Sequence, residues 1–117
     1  MLAESVVATA LSPVLPAKVF PDVAPAATAA PWITYQAVGG QAFATIDGET
    51  PGTLNARMQV TVWSKTRLQT GNIMQQVFQA LVNPAVKAVP IGAPVSTFEP
   101  DTLLYGSTLD FSVTYSG

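Results

Sequence analysis

Four sets of side chains in this sequence have the types and spacing to do chemistry, and each can be weighed before any element is placed. The carboxylates are Glu4, Asp22, Asp47, Glu49, Glu99, Asp101 and Asp110. Asp47/Glu49 and Glu99/Asp101 are spaced as pairs, and paired carboxylates can divide acid and base roles when their surroundings split their pKa values. Both pairs sit beside Gly or Pro, where acidic residues ordinarily serve turns. Asp47, Glu49 and nearby carbonyls could hold a hard cation, but the spacing of a calcium loop is missing. Gly48 and Gly52 lie in one loop, yet no Lys-Ser or Lys-Thr follows, so the pattern of a phosphate-binding loop is broken. The serines have no histidine to activate them, and no Gly-x-Ser-x-Gly occurs.

Histidine and cysteine are both absent. That removes imidazole acid–base steps, His-dependent triads, thiolate nucleophiles, disulfides and the common zinc ligands. The sequence therefore predicts a non-enzyme with no cofactor and no metal. Trp32, Tyr35 and Trp63 are the side chains best suited to recognition, because interfaces are enriched in Trp and Tyr. Core or cross-strand packing would use the same residues, and the sequence leaves the two open.

The whole chain favours binding over turnover. It has 117 residues, 49% hydrophobic and 10% charged, against roughly 25% charged in ordinary domains. A surface so poor in charge suits burial against other subunits. The net charge is −2 and the cations Lys18, Arg57, Lys65, Arg67 and Lys87 are scattered. Specific nucleic-acid binding needs clustered cations to neutralise phosphates, so none is expected. The first residues lack the basic start of an export signal and carry Glu4 and Pro13. No run is apolar for the length of a membrane span, so no membrane partner is expected.

Elements follow from periodicity. Leu2 to Leu11 reads as a short helix, with Leu2, Val6 and Ala10 on one stripe and Ala3, Val7 and Leu11 beside it. Val14-Leu15-Pro16 reads as one further turn and Lys18 to Pro21 as a brief extended piece. Asp22 to Pro31 is an Ala- and Pro-rich internal connection. Trp32 to Val38 is a strand stopped by Gly39-Gly40. Residues 41–53 form a long polar loop, expected to be mobile, at the tip of a hairpin. Asn55 to Ser64 is the clearest strand: Met58, Val60 and Val62 face one way, and Arg57, Gln59, Thr61 and Trp63 the other.

Thr66 to Val82 reads as the main helix. Thr66 and Gln69 have the capping-box spacing, and Met74, Val77, Phe78 and Leu81 form its apolar stripe. Ala88 to Ile91 and Val95 to Phe98 are extended pieces interrupted by Gly92 and Pro94. Leu109, Phe111, Val113 and Tyr115 alternate with polar residues in a last strand. The order predicts one α+β domain over residues 1–117. Its antiparallel sheet has about four strands, with one face packed by the main helix and the short N-terminal one.

Several segments then carry a resemblance in their order and spacing. Val19-Phe20-Pro21, Ala30-Pro31-Trp32-Ile33-Thr34-Tyr35-Gln36, Ala56-Arg57-Met58-Gln59-Val60-Thr61-Val62-Trp63 followed by a helix, and Asp110-Phe111-Ser112-Val113-Thr114-Tyr115 span nearly the whole chain. Together they resemble the small tail-completion proteins of prophage tail operons, a family similar in role to the tail terminator of phage lambda. The sequence departs from the family pattern at Trp32, often Tyr or Phe, at Thr61, often Asp, and in a less acidic Thr66 to Gly71.

The resemblance implies a structural subunit, monomeric when free, that closes into a ring, typically of six, at the head-proximal end of the tail tube. Its partners would be copies of itself, the tail tube protein and the head–tail connector protein. Its places would be the host bacterial cytoplasm during assembly and then the virion tail. The contact surface is expected at Gln41, Phe43, Asp47 and Glu49 in the loop and Arg57, Gln59, Thr61 and Trp63 on the strand. Another connector or minor tail protein of similar fold, and a protein-binding module unrelated to phages, are the alternative readings.

Overall fold

The computed structural model describes residues 2–40 and 53–116. Gln41, Phe43, Asp47, Glu49 and the rest of the expected mobile loop up to residue 52 lie outside the described residues. The elements run α1 (Ala3–Leu11), β1 (Val19–Pro21), β2 (Trp32–Ala37), β3 (Thr53–Ser64), α2 (Arg67–Leu81), β4 (Val89–Glu99) and β5 (Leu104–Ser116).

The α+β class stands, with one strand more than expected. The sheet has five strands in the order β1-β2-β3-β5-β4. The extra one is β1, whose Val19, Phe20 and Pro21 pair with Ile33, Thr34 and Tyr35. This pair is parallel, so the sheet is mixed where an all-antiparallel one was expected. The physical reason is the connection. Residues 22–31 leave the end of β1 and return to the start of β2, and only a parallel partner can be reached that way. Lys18 donates from Nζ to the carbonyl of Ala29 at 2.5 Å, which ties this return to the strand it left.

The other pairs are antiparallel. Trp32 stands opposite Trp63 and Ala37 opposite Met58. Beyond β2, Gly39 accepts from the Arg57 N–H at 2.7 Å. Gly40 crosses the β3 backbone at φ +135°, where a Cβ would stand 2.7 Å from the Ala56 Cα. Only glycine fits that conformation and that approach. The central pair, β3 with β5, runs from Thr53↔Ser116 to Ser64↔Tyr105. β5 begins earlier than the apolar alternation suggested, because Gly106, Ser107 and Thr108 carry no apolar signal. The two extended pieces around Gly92 and Pro94 join as one strand, β4, with a register shift between Ile91 and Val95. The shift lets Pro94 sit at a bulge, where its missing N–H costs no ladder bond.

Both helices cover one face of the sheet. Met58, Val60, Val62, Leu109, Phe111 and Val113 of the sheet pack with Val7 and Leu11 of α1 and with Ile73, Met74, Val77 and Leu81 of α2. On α1 the buried line is Ala3, Val7 and Leu11, while Leu2 is 67% exposed. On α2 the buried set is shifted from the expected stripe. Thr70 and Ile73 join it, while Phe78 lies at its rim, its ring centroid 6.5 Å from that of Phe111. The helix starts as its capping spacing predicts, with the Gln69 N–H donating to Thr66 Oγ1 at 3.1 Å. The buried Thr70 hydroxyl is held by Thr66 O at 2.8 Å and by Ser64 Oγ, which fastens the helix start to the end of β3.

Candidate functional site

Strand alternation puts every second side chain of the sheet on the face away from the helices. The register shows which ones meet there. Trp32, Thr34 and Gln36 of β2 stand beside Trp63, Thr61 and Gln59 of β3. Gly106, Thr108, Asp110 and Ser112 of β5 stand beside Trp63, Thr61, Gln59 and Arg57. The four strand residues expected at a contact surface, Arg57, Gln59, Thr61 and Trp63, thus share one open face.

Each of the four is engaged by a neighbouring strand. Arg57 Nε donates to Asp110 Oδ2 at 2.7 Å, with side-chain exposures of 46% and 14%. Gln36 Nε2 donates to Gln59 Oε1 at 3.4 Å, and the Thr61 and Thr108 hydroxyls lie 3.1 Å apart. Trp63 lies across Gly106, where a Cβ would stand 2.8 Å from its Cζ3. The face is therefore flat and polar along β3, with hydroxyl and amide groups held in fixed rows and an aromatic end.

At that aromatic end the chain partly covers its own sheet. The segment after β1 and the turn after β4 rise on either side of Trp32, Thr34 and Trp63 and leave a hollow of about 280 Å³ between them. A longer groove of about 580 Å³ continues along Thr61 and Gln59. Asp22 and Glu99 line both. Loops of the same chain thus cover part of the Trp63 face. The Arg57 end carries none among the described residues.

Tyr35 points to the other side of β2, toward the core. Its phenol is pushed above its ordinary value, chiefly by burial and further by the carboxylates of Glu4 and Asp22. This raises the cost of its ionised form and gives it no catalytic poise near neutrality. Among the described residues no three acidic, His or Cys side chains come together as a metal site. No helix among them is long and apolar enough to cross a membrane.

β4 is the long edge of the sheet. Its exposed Val89, Ile91 and Val95 stand in register with Ser112, Asp110 and Thr108 and so extend the open face with apolar side chains. A second surface lies on the other side of the sheet, where Met74, Gln75 and Phe78 of α2 and Pro94 and Ser96 of β4 border a groove of about 600 Å³. Apolar residues clustered on an edge strand mark a place for protein contact.

The open face and the apolar edge describe a chain built for contact, and the family decides what kind. The model of the tail completion protein gp17 family matches residues 1–116. The chain belongs to that family. No curated protein matches the chain. As a member of the tail completion family it has a structural role in completing a phage tail, and it works beside other tail and head–tail components. The resemblance drawn from the VFP step, the two central strands and the last strand is thereby shown, and a binding module unrelated to phages is set aside.

Sequence reasoning missed Asp110 as the partner of Arg57, Gly106 as the bed of Trp63, and Asp22 and Glu99 as walls of one groove. The alternation of β5 already placed Asp110 among its polar positions. Its neighbour, and the meeting of two carboxylates far apart in the chain, need the register and the loop paths.

Proposed function

We propose that this tail completion protein closes into a ring, six-fold in the simplest case, at the head-proximal end of the tail tube. There it ends tube growth and presents a surface to the head–tail connector. Monomers made in the host cytoplasm would assemble at the tube and remain in the virion tail. The observation that carries the reading is the open sheet face of Arg57, Gln59, Thr61 and Trp63, which the helices leave uncovered, in a chain of the tail completion family. A closed ring joins two different patches of each subunit. The open sheet face, extended by Val89, Ile91 and Val95, is one such patch, and the groove between α2 and β4 at Met74, Phe78 and Pro94, on the other side of the sheet, is a second of different chemistry.

The reading is tested in the phage and on isolated tubes. Removing the protein should yield tails of abnormal, excessive length. Purified protein added to tail tubes should appear by electron microscopy as a ring at one end. Arg57→Ala with Gln59→Ala should abolish capping while leaving the fold intact, because exposed ion pairs contribute only about 0–1 kcal/mol to stability. Tails of normal length that fail only to join heads would replace termination by a connector role.

A further inference from the structure

The hollow at the aromatic end of the sheet has features that the ring reading does not use. Its floor is the Trp32–Trp63 cross-strand pair, and its two walls each bring a carboxylate, Asp22 from the segment after β1 and Glu99 from the end of β4. Neither carboxylate has an ion-pair partner among the described residues. Asp22 lies at φ +63°, a left-handed conformation that Asp tolerates better than most side chains. Thr34, on the floor between the walls, is 9% exposed, and its hydroxyl has no hydrogen-bond partner among the described residues. The two indole N–H groups likewise donate to no acceptor among them. Among the described residues no buried side-chain polar atom lacks a partner, so these groups reach solvent, and the otherwise buried Thr34 does so at the floor of an aromatic cleft walled by two carboxylates.

We infer that this groove receives an arginine side chain carried on a surface loop of a neighbouring, different protein of the tail. The inference rests on the reading that this chain docks other tail components. Charge complementarity requires a cation, since the lining holds carboxylates and no Lys or Arg. The floor selects among cations. A guanidinium is flat, more weakly hydrated than an ammonium, stacks on indole, and has donors enough for two carboxylates and a hydroxyl at once. A second copy of this chain is the poorer source. Of its two arginines, Arg57 is held by Asp110 and Arg67 lies over its own Tyr105 ring at 5.2 Å.

The test uses the full chain and a small probe, N-acetyl-arginine methylamide, with the citrulline analogue as its uncharged match. The arginine probe should shift the indole N–H resonances of Trp32 and Trp63 saturably, and citrulline should not. Asp22→Asn with Glu99→Gln should weaken the response about tenfold, because both charged contacts to the guanidinium are lost. Asp101→Asn, in the same turn but outside the groove, should respond as the parent does, and well-dispersed spectra of every variant exclude unfolding. Equal shifts by both probes, no saturable shift, or an unchanged response in the double variant would each overturn the inference. So would self-association of the parent chain that the double variant abolishes, which would make a second copy the occupant. No tail takes part, so failure here leaves the role in tail completion standing, whereas normal tail length without the protein would leave this groove standing.

Discussion

Gly106 is the position where a single methyl group should reshape the open face. It stands in register between Trp63 on β3 and Thr97 on β4. A Cβ there would lie 2.6 Å from Thr97 Oγ1, 2.8 Å from Trp63 Cζ3 and 3.0 Å from Cε3. Carbon atoms in good contact sit about 3.5–4.0 Å apart. The threonine hydroxyl is at the end of a side chain that can rotate away. The indole cannot move so cheaply, being flanked on its other side by the β2 strand that carries Trp32. Overpacking of this kind costs about 1–3 kcal/mol. Replacing glycine in a strand returns about 0.5–1 kcal/mol of backbone entropy. Gly106→Ala should therefore destabilise the fold by about 1–2 kcal/mol, a fall in Tm of roughly 3–10 °C for a domain of this size.

Urea unfolding of four proteins isolates the cause: parent, Gly106→Ala, Trp63→Ala and the double variant. With the indole gone, the added methyl should be neutral or stabilise by about 0.5 kcal/mol. The coupling energy between the two sites should then be about 1–2.5 kcal/mol. Trp32 remains in every variant as a reporter of the transition. An equal loss from Gly106→Ala with and without Trp63 would refute the reasoning, because the clash would then lie with Thr97 or the backbone. No loss at all would show that the indole does not rest on this glycine.

Three further outcomes test the frame behind the site. Phe111 is fully buried under α2, and Phe111→Ala should cost about 3–5 kcal/mol by thermal unfolding, a large share of a small domain's stability. Thr70→Val should cost about 1–3 kcal/mol by urea unfolding. It keeps the side-chain shape but strips the buried Ser64 hydroxyl of one partner and removes the bond to Thr66 O. Tyr35 has its folded-state pKa raised, first by burial and then by Glu4 and Asp22. Its contribution to stability is thus present in full below the unfolded value of about 10 and is lost as pH rises through the folded value. Ultraviolet titration should show one phenol ionising late, and Asp22→Asn should bring that midpoint part of the way back.

The local elements were legible because their causes are local. The alternation of Met58, Val60 and Val62 with Arg57, Gln59, Thr61 and Trp63 set the two faces of β3, and the structure keeps them. Thr66 and Gln69 marked the start of α2 within a residue. Phe78 was harder, since helical spacing places a side chain near the apolar stripe without saying where the core ends. Gly92 and Pro94 break the pattern of β4, and a bulge absorbs the break. That outcome depends on a neighbouring strand the sequence does not display. Lys18 to Pro21 read as extended, but a three-residue strand has no periodicity to announce its partner.

The family followed from the order of the VFP step, the two central strands and the last strand, all of them local signals strung along the chain. So did the polar face on which Arg57, Gln59, Thr61 and Trp63 stand, since alternation alone puts them together. Tertiary structure decided what those residues touch. It paired Arg57 with Asp110, laid Trp63 on Gly106, and brought Asp22 and Glu99 to opposite walls of one groove. Alternation acts between adjacent residues, whereas these meetings depend on strand register and on the return of the chain after β1. Both are set by the packing of the whole sheet.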